Sequence, residues 1–180
     1  MKEYWENFYK KKHITYPSSF AKFCSRYIQK NWYLLDLGCG NGRDSYYLGK
    51  YAYEVRGCDY ACLPKHKDNV TFVKRDFELM LKNIPFYEVI YARFFIHSIS
   101  DRQISKLLDK VSLYLMLEFR CKEDIPKLYK HERNLIDSDK LLKKLLNKNY
   151  EIKFFQKDTG LSKFKGEDPV IGRIICQKKS

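Results

Sequence analysis

The chain has 180 residues, of which 44% are hydrophobic, so it has the length of one ordinary domain and enough apolar side chains to build a core. It contains 8 glycines, 5 prolines and no apolar run of the roughly 18 residues that a membrane span needs, which excludes collagen-like and transmembrane chains. Its 35 basic and 22 acidic residues give a formal net charge of +13, which favours an anionic partner such as a nucleic acid, a phosphorylated metabolite or a sugar nucleotide.

The N-terminal segment MKEYWENFYKKKHIT is charged and aromatic and lacks the apolar stretch of a secretory signal. We therefore expect a cytoplasmic chain whose cysteines are free thiols. The six cysteines form no CxxC pair and have no neighbouring histidine at zinc-finger spacing, so no metal site is predicted. Further along, Ser18 and Ser19 follow Pro17 and are candidates for the N-cap of a first helix.

Five apolar, strand-like runs follow in chain order, separated by polar or helix-patterned segments: 32–37, 53–59, 70–76, 87–93 and 112–119. This alternation predicts a doubly wound α/β domain whose parallel sheet is covered on both faces. The ten residues between Asp59 and Val70 leave room for a short helix at most.

The C-terminal third adds two amphipathic helices and two further strands. The apolar faces of the predicted helices consist of Ile104, Leu107, Leu108 and Val111 in one and of Leu141, Leu142, Leu145 and Leu146 in the other. The runs 150–156 and 169–177 predict a terminal hairpin. No internal repeat and no domain boundary interrupts the pattern.

Three glycines lie within five residues in LLDLGCGNGRD, directly after the first strand and before the helical pattern RDSYYLGKYA. Glycine allows tight backbone turns and close approach of a ligand, and the following helix offers unpaired N–H groups. The loop therefore predicts a cofactor site, while a dinucleotide site or a plain strand-to-helix turn remain alternatives for the glycines alone.

The segment DLGCGNG, with Asp36 before the glycines, resembles the cofactor loop of class I S-adenosylmethionine-dependent methyltransferases. Asp59 at the end of the second strand, Asp76 after the third and the polar loop YARFFIHS after the fourth continue the resemblance in the expected order. It covers nearly the whole chain and implies an enzyme with a Rossmann-like sheet that is mostly parallel, has an antiparallel C-terminal strand and binds S-adenosylmethionine.

The resemblance also implies roles for the three acidic residues. Asp59 would accept both ribose hydroxyls, Asp76 the adenine amine, and Asp36 would orient the methionine ammonium group. Each of them could instead be a helix N-cap or a turn residue. The implied cofactor-binding set is Trp5, Tyr9, Asp36, Gly38, Cys39, Gly40, Asn41, Gly42, Arg43, Asp44, Asp59, Tyr60, Asp76, Phe77 and Arg93.

The segments WENFY and YPSSFAKF resemble the aromatic lid that precedes the core in several members of this family. Trp5, Phe8 and Tyr9 lie at helical spacing, so they could equally form a plain hydrophobic face. A lid could use them because a sulfonium cation is attracted to aromatic faces. We accordingly divide the chain into a lid segment, residues 1–30, and a methyltransferase core, residues 31–180.

The loop after the fourth strand is expected to face the substrate and carries the two catalytic candidates, Arg93 and His97. His97 is the candidate base for a hydroxyl acceptor, although it could also be a helix-start histidine bonded to backbone. The D/N/S-P-P-Y/F/W tetrapeptide of base-amine methyltransferases is absent, and ARFFIH stands in its place. DNA amine methylation is therefore disfavoured.

YARFFIHSI and the C-terminal GLSKFKGEDPVIGRIICQK resemble small class I enzymes that tailor sugars and surface glycans. By that resemblance the acceptor would be surrounded by Glu118, Arg120, His131, Arg133, Lys163 and Asp168, although charged loop residues are usually just solvated. The sequence thus predicts O-methylation, or less favourably N-methylation, of a sugar or sugar nucleotide.

Two other functions stay open. An RNA methyltransferase is the second choice, and a cofactor-binding partner subunit without catalysis is the third. The high content of Lys, Tyr, Phe, Ile and Asn also fits an AT-rich genome, so codon bias is an alternative source of part of the basic charge, and the net charge does not choose among anionic partners. The sequence does not predict an oligomeric state.

Overall fold

A computed structural model of the chain describes residues 15–61, 64–123, 134–163 and 166–179. Their centre is one seven-stranded sheet in the order β3-β2-β1-β4-β5-β7-β6. The strands are β1 (Tyr33–Leu37), β2 (Glu54–Asp59), β3 (Val70–Lys74), β4 (Val89–Arg93), β5 (Tyr114–Arg120), β6 (Tyr150–Asp158) and β7 (Ile171–Lys178). Each predicted strand end lies within two residues of the observed one.

Strands β1 to β5 are mutually parallel, whereas β7 runs antiparallel between β5 and β6. This arrangement confirms the predicted fold class, including the antiparallel C-terminal strand and the pairing of the last two strands. Parallel strands of one sheet end at one edge, so the residues that follow β1 to β5 meet there. That edge carries the candidate site described below.

Within the described ranges, five α-helices cover the sheet: α1 (Ser19–Cys24), α2 (Arg43–Leu48), α3 (Phe77–Met80), α4 (Asp101–Lys110) and α5 (Ser138–Asn147). Helix α4 begins with a capping box between Ser100 and Gln103 and buries Ile104, Leu107 and Leu108, as predicted. In α5 the core side is formed by Leu141 and Leu145. The prediction for Leu146 is wrong, since its side chain is 58% exposed: successive helical residues lie about 100° apart, and a face centred on the other two turns it to solvent.

The two faces of the sheet bury separate apolar clusters. Leu35 and Leu37 of β1 pack with residues of α3, α4 and α5, whereas Leu34 packs with residues of α1 and α2. This alternation follows from the two-residue period of a strand. Both faces are thus covered, as the continuous apolar strands predict.

Helix α1 belongs to this packing. Ser18 is its N-cap, with a side chain that accepts a hydrogen bond from Ala21 N, as expected from the Ser-Ser pair after Pro17. Phe20, Ala21 and Cys24 are fully buried against the sheet. The proposed lid residues Trp5, Phe8 and Tyr9 lie outside the described residues.

Between β2 and β3, residues 60–61 and 64–69 contain no helix, in agreement with the short connection predicted there. The described cysteines Cys24, Cys39, Cys58, Cys121 and Cys176 are buried free thiols. Among the described residues, no helix is long and apolar enough to cross a membrane.

Candidate active site

A cavity of about 750 Å³ opens at the carboxyl edge of the sheet. The ends of β1 to β5 form its floor, and the segments 16–19 and 161–163 lie at its rim. Its volume falls within the range of about 300–1,000 Å³ that is usual for cofactor and substrate sites. Both its position and its size therefore mark it as the candidate active site.

The glycine loop forms one wall of the cavity. Gly38, Gly40 and Gly42 have φ values of +73°, +55° and +75°, in the left-handed region that favours glycine. A Cβ on Gly38 would lie 2.9 Å from Cδ2 of Phe95, and Gly42 begins α2 as its N-cap. The backbone N–H groups of Gly38 and Cys39 donate to the Cys58 carbonyl at 2.8 and 3.2 Å. Both the dense packing and the backbone conformation therefore require glycines in this loop.

Asp59 joins the end of β2 to the glycine loop. Its Oδ2 accepts a hydrogen bond from Gly40 N at 3.0 Å, and its Oδ1 accepts one from Ala61 N at 2.7 Å. Asp76 is the N-cap of α3 and accepts from Leu79 N at 3.0 Å. Both side chains also line the cavity. The turn and N-cap interpretations of these residues are thus correct, and they are compatible with a ligand role because a carboxylate accepts several hydrogen bonds.

Asp36 is the most deeply buried of the acidic residues that line the cavity, with 2% exposure. Its Oδ2 accepts a hydrogen bond from Ser45 Oγ at 2.6 Å. Burial, followed by the nearby carboxylates of Asp44 and Asp59, raises the pKa of Asp36 to about 7, against the opposing effect of the Ser45 hydrogen bond. A cation bound beside Asp36 would favour the ionised form.

Asp44 anchors the rim segment 16–18. Its carboxylate accepts hydrogen bonds from Ser18 N and Ser18 Oγ, both at 2.7 Å, and from Tyr91 Oη at 2.9 Å. Arg93 Nε lies 4.0 Å from Asp44 Oδ2. Asp44 therefore lines the cavity mainly as the group that fixes the start of α1 to the sheet.

A buried cluster of charges lies beneath the cavity. Glu118 is 0% exposed, and its two oxygens accept from Arg93 Nε and Arg173 Nε, each at 2.7 Å. The Nη2 of Arg173 also donates to Ser19 Oγ at 2.8 Å and to the Leu161 carbonyl at 3.0 Å. The structure thus places Glu118 below the floor of the cavity, not in its wall, where it joins the two arginines.

The other predicted acceptor-binding residues and the candidate base take different places around the cavity. Arg120 lines the cavity with its Nη2 at 2.9 Å from Glu167 Oε2, and Lys163 lines it with Nζ at 3.3 Å from Asp168 Oδ2. His97 lines the cavity from a single 3₁₀ turn, Ile96–Ser98, and is 3% exposed. His131 and Arg133 lie outside the described residues.

Most of the predicted cofactor-binding residues meet at the cavity. Those that line it are Asp36, Gly38, Cys39, Asn41, Arg43, Asp44, Asp59, Tyr60, Asp76, Phe77 and Arg93. Within the described residues, Gly40 and Gly42 shape the loop but are not part of the lining, and Trp5 and Tyr9 are not described.

The sequence analysis missed several residues of the site. Lining residues that it did not single out include Tyr16, Arg75, Tyr91, Phe94, Phe95 and Ser162. The signal for Phe94 and Phe95 was present in ARFFIH, next to the two catalytic candidates. Tyr91 and the supporting Arg173 lie inside runs that indicate strands, so the pattern gave no reason to treat them separately.

The charges that line the cavity change sign along the sheet edge. The acidic half, at the ends of β1, β2 and β3, carries Asp36, Asp59 and Asp76. The cationic half, at the ends of β4 and β5 and between β6 and β7, carries Arg93, Arg120 and Lys163. Arg43 and Arg75 are exceptions on the acidic side. The acidic half suits hydroxyl and amine donors of a ligand, and the cationic half suits an anion.

Comparison with protein families and curated proteins gives one match. A model of the family described as tellurite resistance protein TehB matches residues 1–136. Among curated proteins no relative matches the chain.

Solved structures share the fold at low sequence identity. A S-adenosylmethionine-dependent methyltransferase from Methanosarcina mazei has a TM-score of 0.70 and 17% identity, covering 87% of this chain and 96% of that chain. Magnesium protoporphyrin IX methyltransferase from Synechocystis, with bound S-adenosylmethionine, has a TM-score of 0.64 and 15% identity, covering 89% of this chain and 76% of that chain. A (4+2)-cyclase has a TM-score of 0.65 and 13% identity, covering 88% of this chain and 79% of that chain.

These likenesses establish the fold, which is the one found in S-adenosylmethionine-dependent methyltransferases and agrees with the fold class predicted from the sequence. The cyclase has a similar fold but is named for a different reaction. The fold therefore does not determine the reaction of this chain, which has to be argued from the residues of the site.

Proposed function

We propose a function from the premise that this chain belongs to the family of the tellurite resistance protein TehB, whose model matches residues 1–136. The chain is an enzyme that transfers a methyl group from S-adenosylmethionine to a small acceptor that carries negative charge. The observation that carries the proposal is the division of one cavity into an acidic half and a cationic half along the sheet edge. Solved methyltransferases of the same fold support it.

The acidic half has the chemistry that S-adenosylmethionine requires. Asp59 can accept the ribose hydroxyls, Asp76 the adenine amine, and Asp36 can face the ammonium group of the methionine part. The three glycines of the loop carry no side chains of their own, so the loop backbone stays accessible to a ligand where neighbouring rings leave it open. When bound, S-adenosylmethionine supplies an electrophilic methyl group on a sulfonium.

Binding is expected to depend on pH through Asp36. Its pKa of about 7 means that the unbound protein holds a proton there below neutral pH, and the ligand ammonium group favours the ionised carboxylate. S-adenosylhomocysteine should therefore bind about tenfold more weakly at pH 6 than at pH 8, and binding near neutral pH should release a fraction of a proton. Calorimetry in two buffers of different ionisation enthalpy measures both quantities.

The raised pKa of Asp36 also makes the stability of the unbound protein depend on pH, and stability changes in the opposite direction to ligand affinity. The folded chain keeps the proton of Asp36 up to about pH 7 while the unfolded chain loses it at about pH 4, so stability falls as the pH rises between these values.

Asp36→Asn should remove the pH dependence of binding, and Asp101→Asn, at an exposed position on α4, should retain it. Constant affinity from pH 5.5 to 7.5, within about twofold, would contradict the role of Asp36.

We assign the base to His97. Its ring lines the cavity next to Phe94, with the ring centroids 5.9 Å apart, on the loop between the acidic and cationic halves. There it can take the proton that an acceptor hydroxyl loses as the new oxygen–carbon bond forms. Arg93, hydrogen-bonded to Glu118 and Ser162, provides a fixed positive charge that also lines the cavity.

Replacing His97 with Gln should lower the single-turnover rate by about 100-fold, because general-base assistance has that typical size. The affinity for S-adenosylhomocysteine should stay within about twofold of wild type, since the acidic half is unaltered. Thermal melting of the variant checks that the buried position still folds. Equal single-turnover rates for the variant and the wild type would remove His97 from catalysis.

For the acceptor we favour a sugar nucleotide, whose diphosphate suits the cationic half. Arginine recognises phosphate through two parallel hydrogen bonds, and Arg120 and Lys163 both line this part of the cavity. Their present partners, Glu167 and Asp168, are carboxylates that a phosphate group would have to replace. The description of the family favours a second candidate, the tellurite oxyanion, which would use the same cations.

The test has two stages. Calorimetry should detect S-adenosylmethionine and S-adenosylhomocysteine but not NAD, and binding of NAD alone would reject the proposed cofactor. Methyl-labelled S-adenosylmethionine is then incubated with the enzyme and either a panel of uridine, guanosine and thymidine diphosphate hexoses or tellurite. Label recovered in the hexose part supports the favoured acceptor, and label recovered bonded to tellurium supports the second.

A further inference from the structure

The backbone of Phe94 has an unusual conformation. Its φ is +54°, in the left-handed region, and the other described non-glycine residues with positive φ are Asp68 and Asn149. Asp and Asn tolerate this region because their short polar side chains bond locally, whereas a bulky aromatic residue there is a clear outlier. Such strain is typically retained where a side chain has to be aimed at a ligand.

The contacts around Phe94 explain the strain. Its N–H donates to the Glu118 carbonyl at 2.7 Å, which holds the chain at the end of β4. The next residue, Phe95, packs against the glycine loop and has its ring centroid 5.4 Å from that of Phe77. Both rings line the cavity, but the left-handed turn gives them different neighbours: Phe95 packs against the glycine loop and Phe77, and Phe94 lies next to Arg93 and His97.

The ring of Phe94 contacts both groups assigned to the chemistry. The guanidinium carbon of Arg93 is 4.4 Å from its centroid, and the His97 ring lies at 5.9 Å with an interplanar angle of 37°. The Phe94 side chain is half-buried, so part of the ring remains open to the cavity. A flat group resting on it would have its substituents next to His97.

We propose that Phe94 determines acceptor specificity by stacking against the face of a sugar ring. The inference rests on the proposed methyltransferase function and narrows the acceptor to one with a ring. A sugar ring presents C–H groups to an aromatic face, which carries negative charge in its quadrupole. A bare oxyanion such as tellurite would instead be repelled by that face and would lose hydration beside it.

The test measures acceptor binding to protein saturated with S-adenosylhomocysteine, using the panel of nucleoside diphosphate hexoses and, separately, sodium tellurite. Wild type should bind at least one member of the panel. Phe94→Ala and Phe94→Gly should each weaken that binding by about three- to tenfold, while Phe94→Tyr, which keeps the ring, should restore it. The affinity of all variants for S-adenosylhomocysteine should stay within about twofold of wild type.

Stability separates the strain from the loss of the ring. Phe94→Ala keeps the strained φ and Phe94→Gly relieves it, so the glycine variant should melt about 2–4 °C higher than the alanine variant. Asn149→Gly changes another residue of positive φ, located between α5 and β6, and should leave both ligand affinities unchanged.

Three results would overturn the proposal: equal hexose affinity in Phe94→Ala and wild type, binding of tellurite but no hexose, or binding of neither. If S-adenosylhomocysteine still binds in these cases, the cofactor part of the proposed function stands and the specificity inference alone is wrong. Absence of S-adenosylhomocysteine binding in wild type would overturn the proposed function and this inference with it.

Discussion

Replacing Glu118 with Gln should lower the free energy of unfolding by about 3–5 kcal/mol, because it removes the negative charge that the buried Arg173 and the partly buried Arg93 share. Both carboxylate oxygens of Glu118 are engaged, at 2.7 Å from Arg93 Nε and from Arg173 Nε, and the side chain is 0% exposed. Water therefore has no access to the position of the lost carboxylate, and Arg173, which is 7% exposed, loses its charged partner there. For a domain of this size the melting temperature should fall by roughly 6–20 °C.

Heat and guanidinium melts at pH 7 measure the effect. The matched control is Glu151→Gln, at a 50% exposed glutamate paired with Lys153 on β6, which should change stability by less than about 0.5 kcal/mol. The double variant Glu118→Met with Arg173→Met removes two of the three charges, leaves Arg93 with Asp44 at 4.0 Å, and should be less destabilised than Glu118→Gln, which leaves both arginines without Glu118. If Glu118→Gln loses less than about 1 kcal/mol, the cluster does not hold the cavity floor as described.

The second large effect is expected on cofactor binding. Asp59→Asn should weaken S-adenosylhomocysteine binding by about 100-fold, equivalent to about 2.7 kcal/mol, because hydrogen bonds to a charged acceptor contribute about 1.5–3 kcal/mol each. The substitution also places an amide group where the carboxylate now accepts from Gly40 N and Ala61 N. One of these backbone donors would then face an NH₂ group, and the glycine loop would lose a tie to β2.

Calorimetry with S-adenosylhomocysteine gives the affinity, and a thermal melt distinguishes loss of ligand contacts from loss of the fold. Asp137→Asn is a suitable control, since this aspartate caps α5 away from the cavity and also accepts a backbone N–H. Its affinity for S-adenosylhomocysteine should equal that of wild type. A change of less than about threefold in Asp59→Asn would show that this carboxylate does not hold the ligand.

Much of the fold and the acidic half of the cavity could be predicted from sequence because both depend on short, local sequence patterns. A buried parallel strand is a short apolar run, and its end is marked by the first polar residue, as at Asp59. The glycine triplet is a backbone requirement of one tight turn, and all three glycines adopt the positive φ that it implies. Parallel strands end at one edge of the sheet, so locating the strand ends in the sequence was enough to predict that Asp36, Asp59 and Asp76 lie at the same edge.

The cationic half and its support depend on contacts between distant parts of the chain, which no local pattern reports. Arg173 holds Ser19 across 154 positions, and Asp44 accepts from Ser18 and from Tyr91 across 26 and 47 positions. Within a strand pattern Arg173 and Glu118 are simply charged residues, and only the antiparallel pairing of β7 with β5 brings them opposite each other. The same holds for Phe94, because its left-handed backbone results from the packing of Phe95 under Gly38 and from the hydrogen bond to β5. A buried charge or a strained backbone is stable only when its neighbours are already in place. The packed structure alone therefore determines where each of them lies.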